Sequence, residues 1–368
     1  MKAIILAGGR GTRLQPLTND VPKPMLPLYE YPVIEYIVEL LKKYGINEIG
    51  ITLQYLPEQI MNYFGDGKKW DVSITYFIED MPLGTAGGVK KADWFIEEEC
   101  IIISGDAVTD LNLANVIAFH RQHKSEMTIV TKLVPDVTHY GLVSANDKNE
   151  VTRFIEKPKQ YEATGNLINT GIYVIHKSVL NSIRCEGAVD FSFDVIPALL
   201  KEKRKVYHYT TASYWIDIGQ LHHYRQAHYD LYEKLFGSNS LNHISETAVI
   251  AEDVKVIPPV YIGEKVQIRS GCTIGPWTVI GKNSHINSNA TIRKSVLMND
   301  VIVKKNCFLY DVALEHGMIL ERESVLLNDK AESGAVARVF DVKAKPLFSI
   351  AKFMNQFSLR VQKQKKEF

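Results

Sequence analysis

Lys2-Ala3-Ile4-Ile5-Leu6-Ala7-Gly8-Gly9-Arg10-Gly11-Thr12-Arg13-Leu14 sets the reading of the front of the chain. Lys2 to Leu6 reads as a continuous apolar run, typical of a strand buried on both faces. The glycine-rich turn that follows lets the backbone approach a phosphate chain and offer its N–H groups. It is not a Walker A loop, because no Gly-Lys-Ser/Thr follows. It is not the dinucleotide fingerprint either, because Leu14 stands where a third glycine is needed.

Working outward, strand-length apolar runs alternate with helical patterns. Val33 to Tyr44 reads as a helix, Ile49 to Leu53 as a strand, and Glu58 to Phe64 as a helix. Val72 to Ile78 reads as extended, Cys100 to Ser104 as a buried strand, and Leu113 to His123 as a helix. The alternation predicts an α/β, Rossmann-like, doubly wound and mostly parallel sheet over residues 1–236. Its ligand site should lie beyond the carboxyl ends of the strands.

From residue 240 to 330 the pattern changes. Six-residue steps from Ile244 land on Ile250, Val256, Ile262, Ile268, Ile274, Ile280, Ile286, Ile292 and Met298. Four residues after most of these stands a second small or apolar residue, such as Val266, Cys272 or Ala290. That is the hexapeptide repeat of a left-handed parallel β-helix. Residues 331–368 form a basic tail. Leu347, Ile350, Met354, Phe357 and Val361 would line one face of a helix there, capping the coil or meeting a partner or membrane surface.

Composition limits the function. Forty-three Lys plus Arg against forty-two Asp plus Glu give a formal net charge of +1. This argues against a general nucleic-acid binder while leaving room for a local anion site. Cys100, Cys185, Cys272 and Cys307 are read as small buried hydrophobes of a reducing compartment. No apolar run is long enough to span a bilayer, so a cytoplasmic protein is expected.

Arg13 puts a fixed cation beside the glycine turn. Val21-Pro22-Lys23-Pro24-Met25 braces a lysine between two prolines. Two placed cations and a glycine loop suit a triphosphate, whose charge must be neutralised before another anion attacks it.

Taken together, Gly8-Gly9-Arg10-Gly11-Thr12-Arg13 and Pro22-Lys23-Pro24 closely resemble the signature of sugar-phosphate nucleotidylyltransferases. Leu83-Gly84-Thr85-Ala86-Gly87, Ser104-Gly105-Asp106, Phe154-Ile155-Glu156-Lys157-Pro158, Asn169-Thr170-Gly171-Ile172-Tyr173 and Trp215-Ile216-Asp217-Ile218-Gly219 follow in the family's order. Within the family the chain looks most like the bacterial mannose-1-phosphate guanylyltransferases. Many of those carry a longer β-helix and a phosphomannomutase-like domain, which this chain lacks.

The resemblance implies a reaction of a nucleoside triphosphate with a sugar 1-phosphate, releasing pyrophosphate. It implies Arg13, Lys23, Asp106 and Asp217 as catalytic residues, with Asp106 and Asp217 holding Mg²⁺. Leu6, Ala7, Gly8, Gly9, Gly11 and Thr12 would cradle the nucleotide, and Gln54, Gly84 and Thr85 would meet its base. Gly141, Glu156 and Asn169 would touch the sugar, and Lys157 its phosphate. GTP with mannose 1-phosphate is the leading pair, and glucose 1-phosphate with UTP or dTTP the nearest rival. A non-catalytic nucleotide-sugar-binding subunit stays open, although it predicts loss of the four catalytic residues. Acyl transfer through His285 or His316 of the β-helix is a remoter alternative. The β-helix is expected to build a homo-oligomer.

Overall fold

The computed structural model describes residues 1–160, 165–183, 187–237 and 242–327, and the backbone of the strand Arg338–Phe340. The expected tail helix and Cys185 lie outside the described residues. The chain forms two compact units, Met1–Leu231 and Tyr232–Phe368.

In chain order the first unit runs β1 (Lys2–Leu6), β2 (Pro27–Leu28), β3 (Tyr31–Pro32), α1 (Val33–Lys43), β4 (Glu48–Leu53), α2 (Pro57–Phe64) and β5 (Ser73–Ile78). It continues with α3 (Gly84–Lys91), β6 (Glu99–Ser104), β7 (Ala107–Thr109), α4 (Leu113–Gln122), β8 (Met127–Leu133), β9 (Gly141–Ala145) and β10 (Val151–Glu156). Then come β11 (Leu167–His176), α5 (Lys177–Asn181), α6 (Ile196–Lys201), β12 (Val206–Thr210), β13 (Trp215–Asp217) and α7 (Leu221–Phe236).

Neighbours β5, β4, β1 and β6 are parallel. Beyond β6 the parallel core gains mixed pairings, with β12 parallel to β8. β11 pairs antiparallel with β6, β8 and β9, and β9 pairs antiparallel with β10. The link from Ala145 to Val151 is too short for a parallel crossover, so these strands close as a hairpin.

β1 is central because both its faces are apolar. Ala3 and Ile5 pack with Ile34, Ile37 and Leu41 of α1, and Ile4 with Ala86 and Val89 of α3, all buried. Each buried isoleucine stabilises the unit by roughly 1.5–3 kcal/mol. Cys100, Cys272 and Cys307 are buried free thiols, as expected.

The second unit is the left-handed parallel β-helix. Three parallel sheets form its faces. Ile262, Ile268, Ile274, Ile280, Ile286 and Ile292 fill its axis together with Val266, Cys272 and Ala290. Asn283, Asn289 and Asn306 turn corners with φ of 59°, 62° and 63°, a region that asparagine tolerates better than most residues.

The six-residue rhythm changes earlier than the sequence shows, before Met298. Rungs pair residues eighteen apart through Ile274↔Ile292, then seventeen apart from Ile280↔Leu297 and Ile292↔Leu309 onward. One residue is missing from the corner after Arg293, so Leu297 rather than Met298 continues the axial stack above Ile280. The parallel coil continues to Val325–Leu327, where Arg338–Phe340 pairs antiparallel with it.

Back in the first unit, the His228 ring on α7 lies edge-on to Tyr29 and Tyr224, with centroids 4.8 and 5.0 Å away. Burial pushes this imidazole down to about 3, so it stays neutral in the fold. In the unfolded chain it protonates below about 6.5, so the unfolded state binds the extra proton and stability falls as pH falls. His228→Phe should therefore shrink the loss of unfolding free energy between pH 8 and pH 5 by about 2 kcal/mol. Urea denaturation at the two pH values checks this. An unchanged loss would mean that His228 titrates alike in the native and the unfolded protein.

Candidate active site

The four parallel strands end on one edge, and each carboxyl end delivers part of the site. Leu6 leads into the glycine turn, Leu53 into Gln54, Ile78 into Glu79, and Ser104 into Gly105-Asp106. The strand order therefore lays these groups out as Glu79, Gln54, glycine turn, Asp106.

The turn is fixed at its start by Ala7 N–H, which donates to the Thr52 carbonyl at 3.0 Å. Leu6 carbonyl accepts from Gly105 N–H at 2.8 Å, tying the turn to the Asp106 strand. Gly11 has φ 66°, and a Cβ there would stand 3.0 Å from the Cβ of Lys23. This close crossing lays the Pro22-Lys23-Pro24 segment against the glycine turn. Gly8, Gly9 and Thr12 are at least partly open to solvent, as a ligand loop requires.

Asp217 reaches the edge by a different route. β13 pairs antiparallel with β7, opposing Asp217 to Ala107, the residue after Asp106. Two carboxylates from distant parts of the sequence thereby converge on one cation. Lys23 Nζ is hydrogen-bonded to Asp106 Oδ2 and lies 3.2 Å from Asp217 Oδ1. Ser104 Oγ donates to Asp106 Oδ1 at 2.6 Å and fixes its orientation.

Burial acts against the charge on all three groups. For Asp106, the Lys23 charge and the hydrogen bonds from Lys23 and Ser104 outweigh burial and hold its carboxyl below the usual range. Burial and the Asp106 charge push Asp217 up, with Lys23 and the nearby Arg13 as partial offsets. Burial would lower Lys23, but the two carboxylates reverse that and keep it an ammonium. Arg13 itself is exposed, yet a Cβ on Gly219 would stand 3.3 Å from its Nη2 and 3.0 Å from Asp217 Oδ2, so its guanidinium lies on the Asp217 side of the site.

The remaining candidates divide. Gly141 on β9 is directly opposite Glu156 on β10, and Ile168, next to Asn169 on β11, pairs with Leu142. Gly141, Glu156 and Asn169 therefore share one patch of adjacent strands. Burial raises the Glu156 carboxyl, with Lys157 as the leading offset. Lys157 is exposed, its Nζ 4.0 Å from Glu156 Oε1. Asn169 is less free than expected: its amide donates to the Tyr173 hydroxyl at 2.8 Å and accepts from Gly171 N–H at 3.0 Å.

Gly84 and Thr85 open α3, where Ala86 and Gly87 N–H both donate to the Val189 carbonyl. The Thr85 hydroxyl donates to Asp190 at 2.7 Å and accepts from Phe191 N–H, so it fastens α3 to the 189–191 segment. Sequence reasoning missed Asp190 in this role. It also missed Glu79, whose signal was an acid just past a strand on the ligand edge.

Comparison with known proteins places the chain among relatives. A family model described as nucleotidyl transferase matches residues 2–234, and one described as GMPPB C-terminal domain matches residues 256–329. A UTP–glucose-1-phosphate uridylyltransferase of Synechocystis sp. is 33% identical over 320 residues, covering 81% of this chain and 82% of that protein. A mannose-1-phosphate guanyltransferase of Pichia angusta is 32% identical over 349 residues, covering 89% and 94%. The crystal structure of HddC from Yersinia pseudotuberculosis, complexed with GMP-PN, superposes with a TM-score of 0.55 at 29% identity, covering 62% of this chain and 99% of that one. With a family match over residues 2–234 and relatives that span most of its length, the chain belongs to the nucleotidyl transferase family.

Proposed function

We propose that the chain transfers the nucleotidyl group of GTP to mannose 1-phosphate, releasing pyrophosphate and leaving GDP-mannose. The observation that carries the reading is the convergence of Asp106, Asp217 and Lys23 beside the glycine turn. The Pichia relative and the second family description support this choice of substrates. The Synechocystis relative makes UTP with glucose 1-phosphate the second reading.

The obstacle in this reaction is repulsion between two phosphate groups as one attacks the other in line. The attacking phosphate is already ionised, so no general base is needed, and positioning and charge do most of the work. Backbone N–H groups from Gly8 to Thr12, continuing from Leu6 and Ala7, cradle the triphosphate. Arg13 and Lys23 take up charge at the α-phosphoryl group. Gln54, Gly84 and Thr85 border the base, and Gly141, Glu156 and Asn169 border the sugar, with Lys157 near its phosphate.

Asp106 and Asp217 fit a divalent ion of the Mg²⁺ kind. They are hard oxygen donors closing on a place that already attracts the Lys23 ammonium. No cluster of three or more His, Cys, Asp or Glu is present among the described residues, so a two-carboxylate site that leaves room for waters is the one on offer. Bound there, Mg²⁺ supplies charge neutralisation to the phosphates.

Both substrates are phosphorylated metabolites, and no helix among the described residues is long and apolar enough to cross a membrane. A cytoplasmic site of action belongs to the same proposal. So does assembly of a homo-oligomer through the β-helix, which repeats flat faces and ends that can stack. Light scattering of the full chain and of a form ending near residue 236 should give different subunit numbers; equal numbers would refute the assembly role.

Pyrophosphate release, screened over five nucleoside triphosphates and the 1-phosphates of mannose, glucose and N-acetylglucosamine, tests the reaction. GTP with mannose 1-phosphate should win, and Asp106→Asn should lower kcat by about 100-fold or more. A different winning pair would replace the substrates, and a fully active variant would remove Asp106 from the mechanism. Lys23→Met leaves two carboxylates facing each other and should cost about 3 kcal/mol. Added Mg²⁺ should then raise the Tm of this variant more than that of the parent. Equal rises would show that the pair is not a cation site.

A further inference from the structure

Thr85 and Asp190 are 105 residues apart in the chain, and the bond between them belongs to a longer seam. Val189 N–H donates to the Leu83 carbonyl at 2.8 Å, and the Val189 carbonyl accepts from Ala86 and Gly87 N–H at 2.9 and 3.0 Å. A Cβ on Gly84 would collide with that carbonyl, so glycine is what lets α3 start flush against Val189. The first turn of α3 is therefore held by backbone bonds that do not depend on the side chain at 190.

Just beyond, the helical turn Phe191–Val195 lies against both α3 and β10, the strand that carries Glu156. Asp190 caps this turn. Its Oδ1 accepts from Ser192 and Phe193 N–H at 2.8 and 3.3 Å, and Asp194 Oδ2 accepts in return from Asp190 N–H at 2.8 Å. Such a cap needs one acceptor oxygen, which a serine or threonine supplies as well. Asp190 uses a second one. Its Oδ2 accepts from the Thr85 hydroxyl at 2.7 Å, and that hydroxyl accepts from Phe191 N–H at 3.0 Å. One forked side chain thus holds its own turn and fastens it to α3.

The other end of the seam reaches the sugar patch. The Ser192 hydroxyl faces the Glu156 carboxylate and the Tyr173 hydroxyl. Tyr173 accepts from the Asn169 amide at 2.8 Å, and its ring centroid is 5.2 Å from that of Phe191. Glu156 is close-set on its other side, where a Cβ on Gly141 would stand 2.8 Å from Oε2. The two ends are held unequally: α3 keeps its bonds to Val189 whatever stands at 190, whereas the Ser192 N–H is fixed by Asp190. We propose that Asp190 is a positioning residue for the sugar 1-phosphate: anchored to α3 through Thr85, it sets Ser192, and through it the Glu156 carboxylate, against the sugar. The proposal rests on the nucleotidyl-transfer reading above and adds a link between its nucleotide side and its sugar side.

Steady-state kinetics of the full chain, with the substrate pair that releases pyrophosphate fastest, test it. Asp190→Ser keeps one capping oxygen but has none left for Thr85. It should raise KM for the sugar 1-phosphate about tenfold, while kcat and KM for the nucleoside triphosphate change by less than about twofold. Ser192→Ala leaves Asp190 and Thr85 in place, should give the same split, and serves if the first variant does not fold. Asp190→Asn restores an oxygen for the cap and an amide for the Thr85 hydroxyl, and should return the sugar KM to within about threefold of the parent. Equal rises in both KM values, or a fall in kcat with both KM values kept, would mean that Asp190 only supports the fold, and would overturn the proposal while nucleotidyl transfer stands. Parent-like KM values in Asp190→Ser and Ser192→Ala overturn it as well. Release of pyrophosphate from no pair by the parent itself would remove the transfer reading, and the proposal with it.

Discussion

The ion pair of Lys23 with Asp106 and Asp217 is the constraint on which the first unit's ligand edge depends. An ammonium buried to this degree persists only with compensating charge, and two close carboxylates persist only with a cation between them. Each group comes from a different segment: the proline-braced turn, the end of β6, and the end of β13. Their mutual need fixes where those segments meet. The glycine turn follows from this, because its crossing over Lys23 leaves no space for a side chain at Gly11. Pro22 and Pro24 narrow the backbone choices of the lysine segment before the pair forms, so less entropy is lost in forming it.

Much of this was legible in the sequence, for identifiable reasons. Lys2–Leu6 announced itself because the middle of a strand buried on both faces must be apolar, and Ala3, Ile4 and Ile5 are wholly buried. The β-helix was legible because one inward side chain per face makes six-residue periodicity unavoidable. The same arithmetic hid the missing corner residue after Arg293. A one-residue shift puts Leu297 in place of Met298, and both are apolar, so the pattern continues past the change without a visible break. The antiparallel extension from β11 to β10 was hidden for another reason. Strand direction is set by the length of the connection and not by the apolar pattern within the strands.

Among the candidate site residues, the sequence singled out most readily those whose charge or close backbone approach stands out locally. Arg13, Lys23, Asp106 and Asp217 are chemically unusual in their local contexts, whereas Thr85 and Asn169 are small polar residues that suit many tasks. Thr85 is bonded to Asp190 and Phe191, and Asn169 to Tyr173 and Gly171, so each also holds its own segment in place. A sequence cannot state which hydrogen bond a hydroxyl or amide will make. Glu79 shows the converse. An acid flanked by Ile78 and Asp80 looks solvated until the fold covers it.

Charge accounting connects the pair to the proposed reaction. Two carboxylates and one ammonium leave the centre short of positive charge by one unit, and Arg13, exposed on the Asp217 side, is the nearby cation that offsets it. A triphosphate and a sugar phosphate would arrive carrying several negative charges, far more than these two cations can balance. With an overall charge of +1, the protein as a whole provides little additional attraction. A site made of these residues alone would repel the substrates it is built to join. The same carboxylates that worsen this deficit are the groups able to hold a divalent cation, and one such ion turns the balance positive. On the proposed reaction, the two acids that pair with Lys23 would also serve as ion ligands, because their own charge would otherwise oppose the chemistry around them.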